Sequence, residues 1–377
     1  MTTTLPHNAT KAHHRRRMSR SRLALLALGG ASLIVGMLLG LNMLGLSLFD
    51  VPLPVTTERF AQVHAQVMIV GFLGTVIALE RAVALRRRWG FLAPLGLGLG
   101  ALALLTDLPA WVGESGQLAG AAFLIAVYVP LWRRVPSAAV TAQALGAVLL
   151  AGALICWLGG VTTAALLPWA VGFLVLTIAG ERLELARLGL GGSTRAETTF
   201  TILAASVAAA AAAALLWPVV GTAIFGAALL AIVAWLVRHD VARRTIHTVG
   251  LPRFTAACLL AGYAWLALAG AVWLVGGPQT SGGGYDLVIH AVFLGFGLSM
   301  ILGHAPIILP AVLGQPLPYR AFMWVPLVLL EGSLIVRSFG DLRGLTEVWQ
   351  SGGALNVVAI LTFAVVTVST AIAASRR

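Results

Sequence analysis

His64-Ala65-Gln66-Val67-Met68-Ile69-Val70-Gly71-Phe72-Leu73-Gly74-Thr75-Val76-Ile77-Ala78-Leu79-Glu80-Arg81 is the stretch that decides how this chain folds. Between the histidine and the Glu80-Arg81 pair no residue carries a charge, and the apolar run extends over 60–84. Crossing a bilayer takes about 20 mostly apolar residues in a helix. Runs of the same kind occur at 23–48, 91–108, 115–132, 138–159, 162–185, 197–217, 219–237, 254–276, 285–313, 320–337 and 353–374. They predict an all-α integral membrane protein of about twelve transmembrane helices. The pairs 91–108/115–132 and 197–217/219–237 carry an alternative, in which each collapses to one long or re-entrant segment.

The composition agrees. Apolar residues make up 59% of the 377 positions and charged residues 10%, against roughly 25% charged in a soluble domain. The net charge of +12 invites a nucleic-acid reading, but its distribution argues against one. With the N-terminus inside, the inner segments hold Lys11, Arg15, Arg16, Arg17, Arg20 and Arg22, then Arg86, Arg87 and Arg88, Arg133 and Arg134, Arg187 and Arg195, Arg238, Arg243, Arg244 and Arg253, Arg320, and Arg376 and Arg377. The opposite side keeps Arg59, Arg337 and Arg343. This is the positive-inside pattern, so the basic residues face anionic lipid heads and not nucleic acid. It predicts a multi-pass protein of a bacterial-type cytoplasmic (inner) membrane with both termini cytoplasmic. Residues 1–22 form a basic tail and 23–377 a single polytopic domain. The run from Leu23 to Phe49 is too long for a signal peptide, so it reads as an uncleaved first helix. Cys156 and Cys258 stand apart and make no metal spacing. The Ala204–Ala214 run reads as close helix packing.

The opening stretch has a partner. Val70-Gly71-Phe72-Leu73 leading to Ile77-Ala78-Leu79-Glu80-Arg81 returns as Val171-Gly172-Phe173-Leu174 leading to Ile178-Ala179-Gly180-Glu181-Arg182, 101 residues later. Helix ten echoes it more weakly: His64-Ala65 precedes Gly71 by seven, and His290-Ala291 precedes Gly297 by seven. A period of four helices over twelve gives three pseudo-symmetric four-helix arcs.

Ionisable groups inside a membrane are costly and default to a functional reading. Of eight histidines, His7, His13, His14, His239 and His247 fall in solvated segments. His64 and His290 each lie a few residues into helices that run the same way, roughly 6–8 Å below the outer boundary at 1.5 Å per residue. Two imidazoles at one depth can face each other across a flat ligand, and a haem iron needs two such axial nitrogens. The competing reading is two unrelated histidines bonded to carbonyls. Gly71 and Gly297 would leave room for a porphyrin edge. Arg337 and Arg343 are candidates for the propionates, since arginine grips carboxylates bidentately, and surface pairing with Asp341, Glu347 or Glu58 is the alternative. Met68 and Met300 read as packing.

His304 follows His290 by 14 residues, about 21 Å deeper on the same face, near the level of Glu80 and Glu181. These three form a possible second site or proton path, set against simple ion pairing at the inner rim. Glu331, in the middle of helix eleven, is protonated, paired or part of a proton route.

Taken together, this pattern resembles the subunit I superfamily of haem–copper oxidases, with twelve helices in three arcs and a low-spin haem held by histidines of helices two and ten. The resemblance assigns those roles to His64 and His290, and propionate binding to Arg337 or Arg343. It departs where the oxidases place copper: helices six and seven contain no histidine, and Val288 stands where the high-spin haem ligand would be. The chain is more similar to the NnrS family, haem proteins linked to nitric oxide stress. The similarity lies in His290-Ala291 through Gly295, Gly297 and Met300 to Gly303-His304, and in His64-Ala65 continuing to Gly71-Phe72. It implies a haem b protein without the copper centre, acting in electron transfer or in the response to nitric oxide or another diatomic gas, with a redox partner. Copper has no clear ligand set beyond His304, and no catalytic residue is assigned. The rival readings are a secondary transporter, for which Gly96–Gly100 and the Pro306/Pro310 segment are candidate helix breaks, and a structural subunit without cofactor.

Overall fold

The computed structural model describes residues 20–46, 57–190 and 194–375. His7, His13, His14, Lys11, Arg15, Arg16, Arg17, Arg376 and Arg377 lie outside the described residues. All the regular structure among the described residues is helical. We number its long helices α1 (Arg20–Met43), α2 (57–85), α3 (Leu92–Ala103), α4 (Ala110–Arg134), α5 (Ala138–Leu158), α6 (Thr163–Leu190), α7 (Thr194–Leu216), α8 (Pro218–His239), α9 (Leu251–Gly276), α10 (Gly282–Leu313), α11 (Ala321–Leu342) and α12 (Thr346–Ser375).

Among the described residues, eleven of these helices are long and apolar enough to cross a membrane, which makes the chain a multi-pass membrane protein. The exception corrects the expectation of a full span at 91–108. Helix α3 has 12 residues, about 18 Å of rise. The chain turns at Thr106, whose hydroxyl donates to the Ala103 carbonyl at 2.7 Å, and Pro109 follows, with no N–H to continue a helix. The Gly96–Gly100 stretch is unbroken helix. Its glycines let α3 lie against α4: a Cβ on Gly96 would stand 2.8 Å from the Gly120 Cα, and one on Gly100 would stand 2.6 Å from the Gln117 nitrogen. Small residues allow such backbone approach where lipid supplies no hydrophobic drive between helices. Arg59 donates to the Leu108 carbonyl at 2.6 Å and Arg134 to the Leu85 carbonyl at 2.8 Å, tying both ends of this region to α2.

The second ambiguous pair resolves into two helices. Helices α7 and α8 meet at Trp217, and Pro218 opens α8, where its missing N–H costs nothing. Helix α10 continues through Pro306 and Pro310 to Leu313.

Helices α6, α10 and α2 are buried over 78%, 67% and 61% of their most apolar stretches, more than any other span. These are the three helices that carry the sequence repeat. Two of them share a further device. In α2 the backbone widens to a π-helix over Val67–Gly74, and in α10 over Ala291–Leu298, just past His64 and His290. Helix α6 is α-helical at the corresponding place. The echo that is weak in sequence is therefore the one that the backbone repeats. Such widened turns frequently mark functional sites.

Candidate functional site

A cavity of about 280 Å³ lies between α1, α2, α10, α11 and α12, and both His64 and His290 line it. Its walls are apolar, from residues such as Met37, Ile69, Phe293 and Val357, while Asp286, Arg337, Trp349 and Asn356 make its polar side. Helix α1 faces it with Gly36 and Gly40. A Cβ on Gly40 would stand 3.3 Å from the His64 ring, so the glycine admits the imidazole.

His290 is held firmly. Its Nδ1 lies 2.8 Å from the Asp286 carbonyl, which can only accept, so Nδ1 carries the hydrogen and donates. The Asp286 carboxylate is 3.3 Å from the same nitrogen. That carboxylate is fixed in turn: Arg337 donates to it through Nε at 2.8 Å and Nη2 at 2.6 Å, and Trp349 through Nε1 at 3.3 Å. With Nδ1 so engaged, Nε2 is the nitrogen that faces away from this clamp, and it has no hydrogen-bond partner among the described residues. His64 is the opposite case. Its Nδ1 is buried without a partner, a condition that costs roughly 1–3 kcal/mol when nothing else satisfies the group.

Of the other residues expected here, Arg337 is present but its fork grips Asp286. Arg343 is exposed, with its guanidinium over the Phe339 ring, 5.7 Å from the centroid. Neither glycine lines the cavity. A Cβ on Gly71 would meet Ala101 and Ser32, so Gly71 serves the packing of α2 on α1 and α3. Gly297 lines a separate cavity deeper in the bundle. Met68, expected as packing, lines the histidine cavity.

The deeper cavity, about 60 Å³, is lined by Glu80, Glu181, His304, Gly297 and Met300 among apolar neighbours. Sequence spacing placed these three ionisable residues at one level, and the fold brings them together. The repeated Glu-Arg pairs have diverged. Arg81 sits 2.5 Å from Glu80 and 3.2 Å from Glu181, and donates to Gln143 at 3.1 Å. The Glu181 contact is an ion pair by distance only, and its Oε1 makes no hydrogen bond.

Arg182 turns away to Asp240, which it grips at 2.8 Å through both Nε and Nη2. Tyr263 donates to the same carboxylate at 2.6 Å. Burial works against the Asp240 charge, but Arg182 and Tyr263, with the Ala242 N–H, outweigh it and hold the carboxyl below the usual carboxylate range. Arg182 also reaches His304 Nε2 at 3.1 Å. Arginine only donates, so Nε2 accepts, and Nδ1–H donates to the Met300 carbonyl at 2.7 Å. Both His304 nitrogens are thus engaged within the protein. Glu331 is paired with neutral donors, Trp265 Nε1 at 2.5 Å and Ser299 Oγ at 2.8 Å.

Sequence reasoning missed Asp286, Trp349, Asp240 and Tyr263. Asp286 was within reach of it, since it stands four residues before His290, one turn along the same face. Trp349 and Asp240 carry no local signal.

No group of three or more His, Cys, Asp or Glu side chains able to hold a metal ion occurs among the described residues, and Cys156 and Cys258 are free thiols. Two imidazoles on one cavity make a poor cage for a bare ion, which takes more ligands from protein.

A family model described as a domain of unknown function (DUF8744) matches residues 22–372, and the chain belongs to that family. No curated protein and no solved structure matches it.

Proposed function

We propose that this chain is a haem b protein of the membrane, with His64 and His290 as axial ligands, serving electron transfer or the response to nitric oxide or a related diatomic gas. One observation carries the reading: both imidazoles line a single apolar cavity, and His290 is anchored through Nδ1 so that its Nε2 is left for a ligand. Metal-binding histidines characteristically donate their other N–H to a carbonyl or carboxylate. The apolar walls and the glycines of α1 leave room beside the His64 ring for a flat group. Haem bound there supplies one-electron redox chemistry at iron. Asp286, Arg337 and Trp349 orient His290, and the apolar walls exclude water. Arg337, already committed to Asp286, contributes to haem binding through that clamp.

The wider arrangement belongs to the proposal too. Counting α3 as a short pass gives twelve crossings in three arcs of four, resembling NnrS proteins and oxidase subunit I, in a bacterial-type inner membrane with both termini on the cytoplasmic side. No copper centre is proposed, because the second nitrogen of His304 is taken by Arg182.

Protein purified in detergent, from cells well supplied with haem, is expected to show the pyridine haemochrome of haem b and a low-spin reduced-minus-oxidised spectrum. His64→Ala and His290→Ala should each abolish the low-spin signal. Haem-free protein from such cells sinks the reading.

A further inference from the structure

On that reading, we propose that the two histidines are unequal ligands: His64 is the one that yields, and a neutral diatomic molecule binds in its place, on the α1 side of the cavity, with His290 remaining opposite.

The asymmetry lies in what stands behind each ring. Asp286 offers the Nδ1–H of His290 its carbonyl at 2.8 Å and its carboxylate at 3.3 Å, and Arg337 and Trp349 keep that carboxylate from turning away. Such support fixes the ring and makes its other nitrogen a better donor. To leave, His290 would have to break from a clamped acceptor. Behind His64 stands no clamped carboxylate: its ring reaches only the Gly36 backbone of α1, and its Nδ1 makes no hydrogen bond of good geometry, so swinging the ring gives up little.

Space favours the same side. The wall beside His64 is Gly36 and Gly40 of α1, with Met68 lying over Gly36. A flexible thioether and two absent side chains form a surface that adapts. With haem held there, His64 would give up its bond to iron as the incoming molecule makes one, with no electron gained or lost.

Carbon monoxide added to the dithionite-reduced protein is the probe, read by optical and resonance Raman spectra. The wild type should bind it. His64→Gly should bind it about tenfold or more tightly, because apparent affinity falls by the fraction of molecules in which the competing ligand is already off. Asp286→Asn, made with His64 intact, should shift the iron–carbon stretch of the adduct, since His290 is then the ligand opposite. A reduced wild type that binds no carbon monoxide overturns the proposal. So does His64→Gly binding no more tightly than wild type, or an adduct whose stretch ignores Asp286→Asn. These outcomes leave the haem assignment standing, whereas haem-free protein removes both.

Discussion

Arg337 of α11 and Asp286 of α10 form a two-pronged ion pair, 2.8 and 2.6 Å long, one helical turn from His290. The arginine is 8% exposed, and it closes the polar side of the histidine cavity. Removing one partner of such a pair strands the other charge in a medium that cannot solvate it. Arg337→Leu is therefore expected to destabilise the protein by roughly 3–5 kcal/mol, seen as a lower midpoint of thermal unfolding in detergent. Arg337→Lys should recover only part of that, because lysine lacks the planar fork. Equal midpoints for all three proteins would mean that the pair is not structural.

His304 shares a face with His290 but serves a different network. With Nδ1 on the Met300 carbonyl and Nε2 on Arg182, it braces α10 against α6. His304→Gln should leave any haem spectrum unchanged. His304→Leu should lower the unfolding midpoint, because Arg182 loses an acceptor. A loss of the low-spin spectrum in His304→Gln would give this residue a ligand's role and contradict the bracing one.

Asp240 provides a pH signature outside the membrane-spanning helices. Its carboxyl sits below the usual range because Arg182 and Tyr263 outweigh the cost of burial. A depressed pKa stabilises the fold at pH values above the ordinary carboxylate range, and that contribution is lost as pH falls through the folded-state value. Thermal midpoints of the wild type should thus drop on acidification below about pH 4, while Asp240→Asn, already lacking the charge, should start lower and vary less there. Parallel curves for the two proteins would remove Asp240 from the acid response.

The α3–α4 contact makes a steric prediction. A Cβ on Gly96 would come 2.8 Å from the Gly120 Cα, whereas one on Gly30 meets nothing within 4 Å. Backbone cannot move aside as a flexible side chain can, so Gly96→Ala should reduce the yield of folded, monodisperse protein. Gly30→Ala should be tolerated, since alanine favours helix over glycine by about 1 kcal/mol. Matching yields would show that α3 and α4 can separate without cost.

Much of the fold is legible in the amino-acid sequence, because apolar length is a one-dimensional property. A helix in lipid must satisfy its own backbone, so the runs from Leu23 onward mark helices whatever they pack against. The pairing of the two histidines has a sequence signal too: counting residues from the start of each helix predicts one level for His64 and His290, and both line one cavity. Sequence fails where neighbours decide. Segment 91–108 reads as a span, yet Thr106 and Pro109 end α3 early, and it is the glycines of α4 that hold so short a helix in place. Gly71 reads as room for a ligand and is instead room for Ser32 and Ala101. Arg337 reads as free to bind an anion and is held by Asp286.

The chain's own sequence thus determined the helices and the repeat shared by α2, α6 and α10, since each follows from local composition. Only the tertiary structure decided which side chains share a partner. It gave His290 a clamp and left His64 without one, and it tied His304 to Arg182. Those pairings depend on how helices far apart in sequence are rotated against each other, and no spacing along the opening stretch from His64 to Arg81 records that.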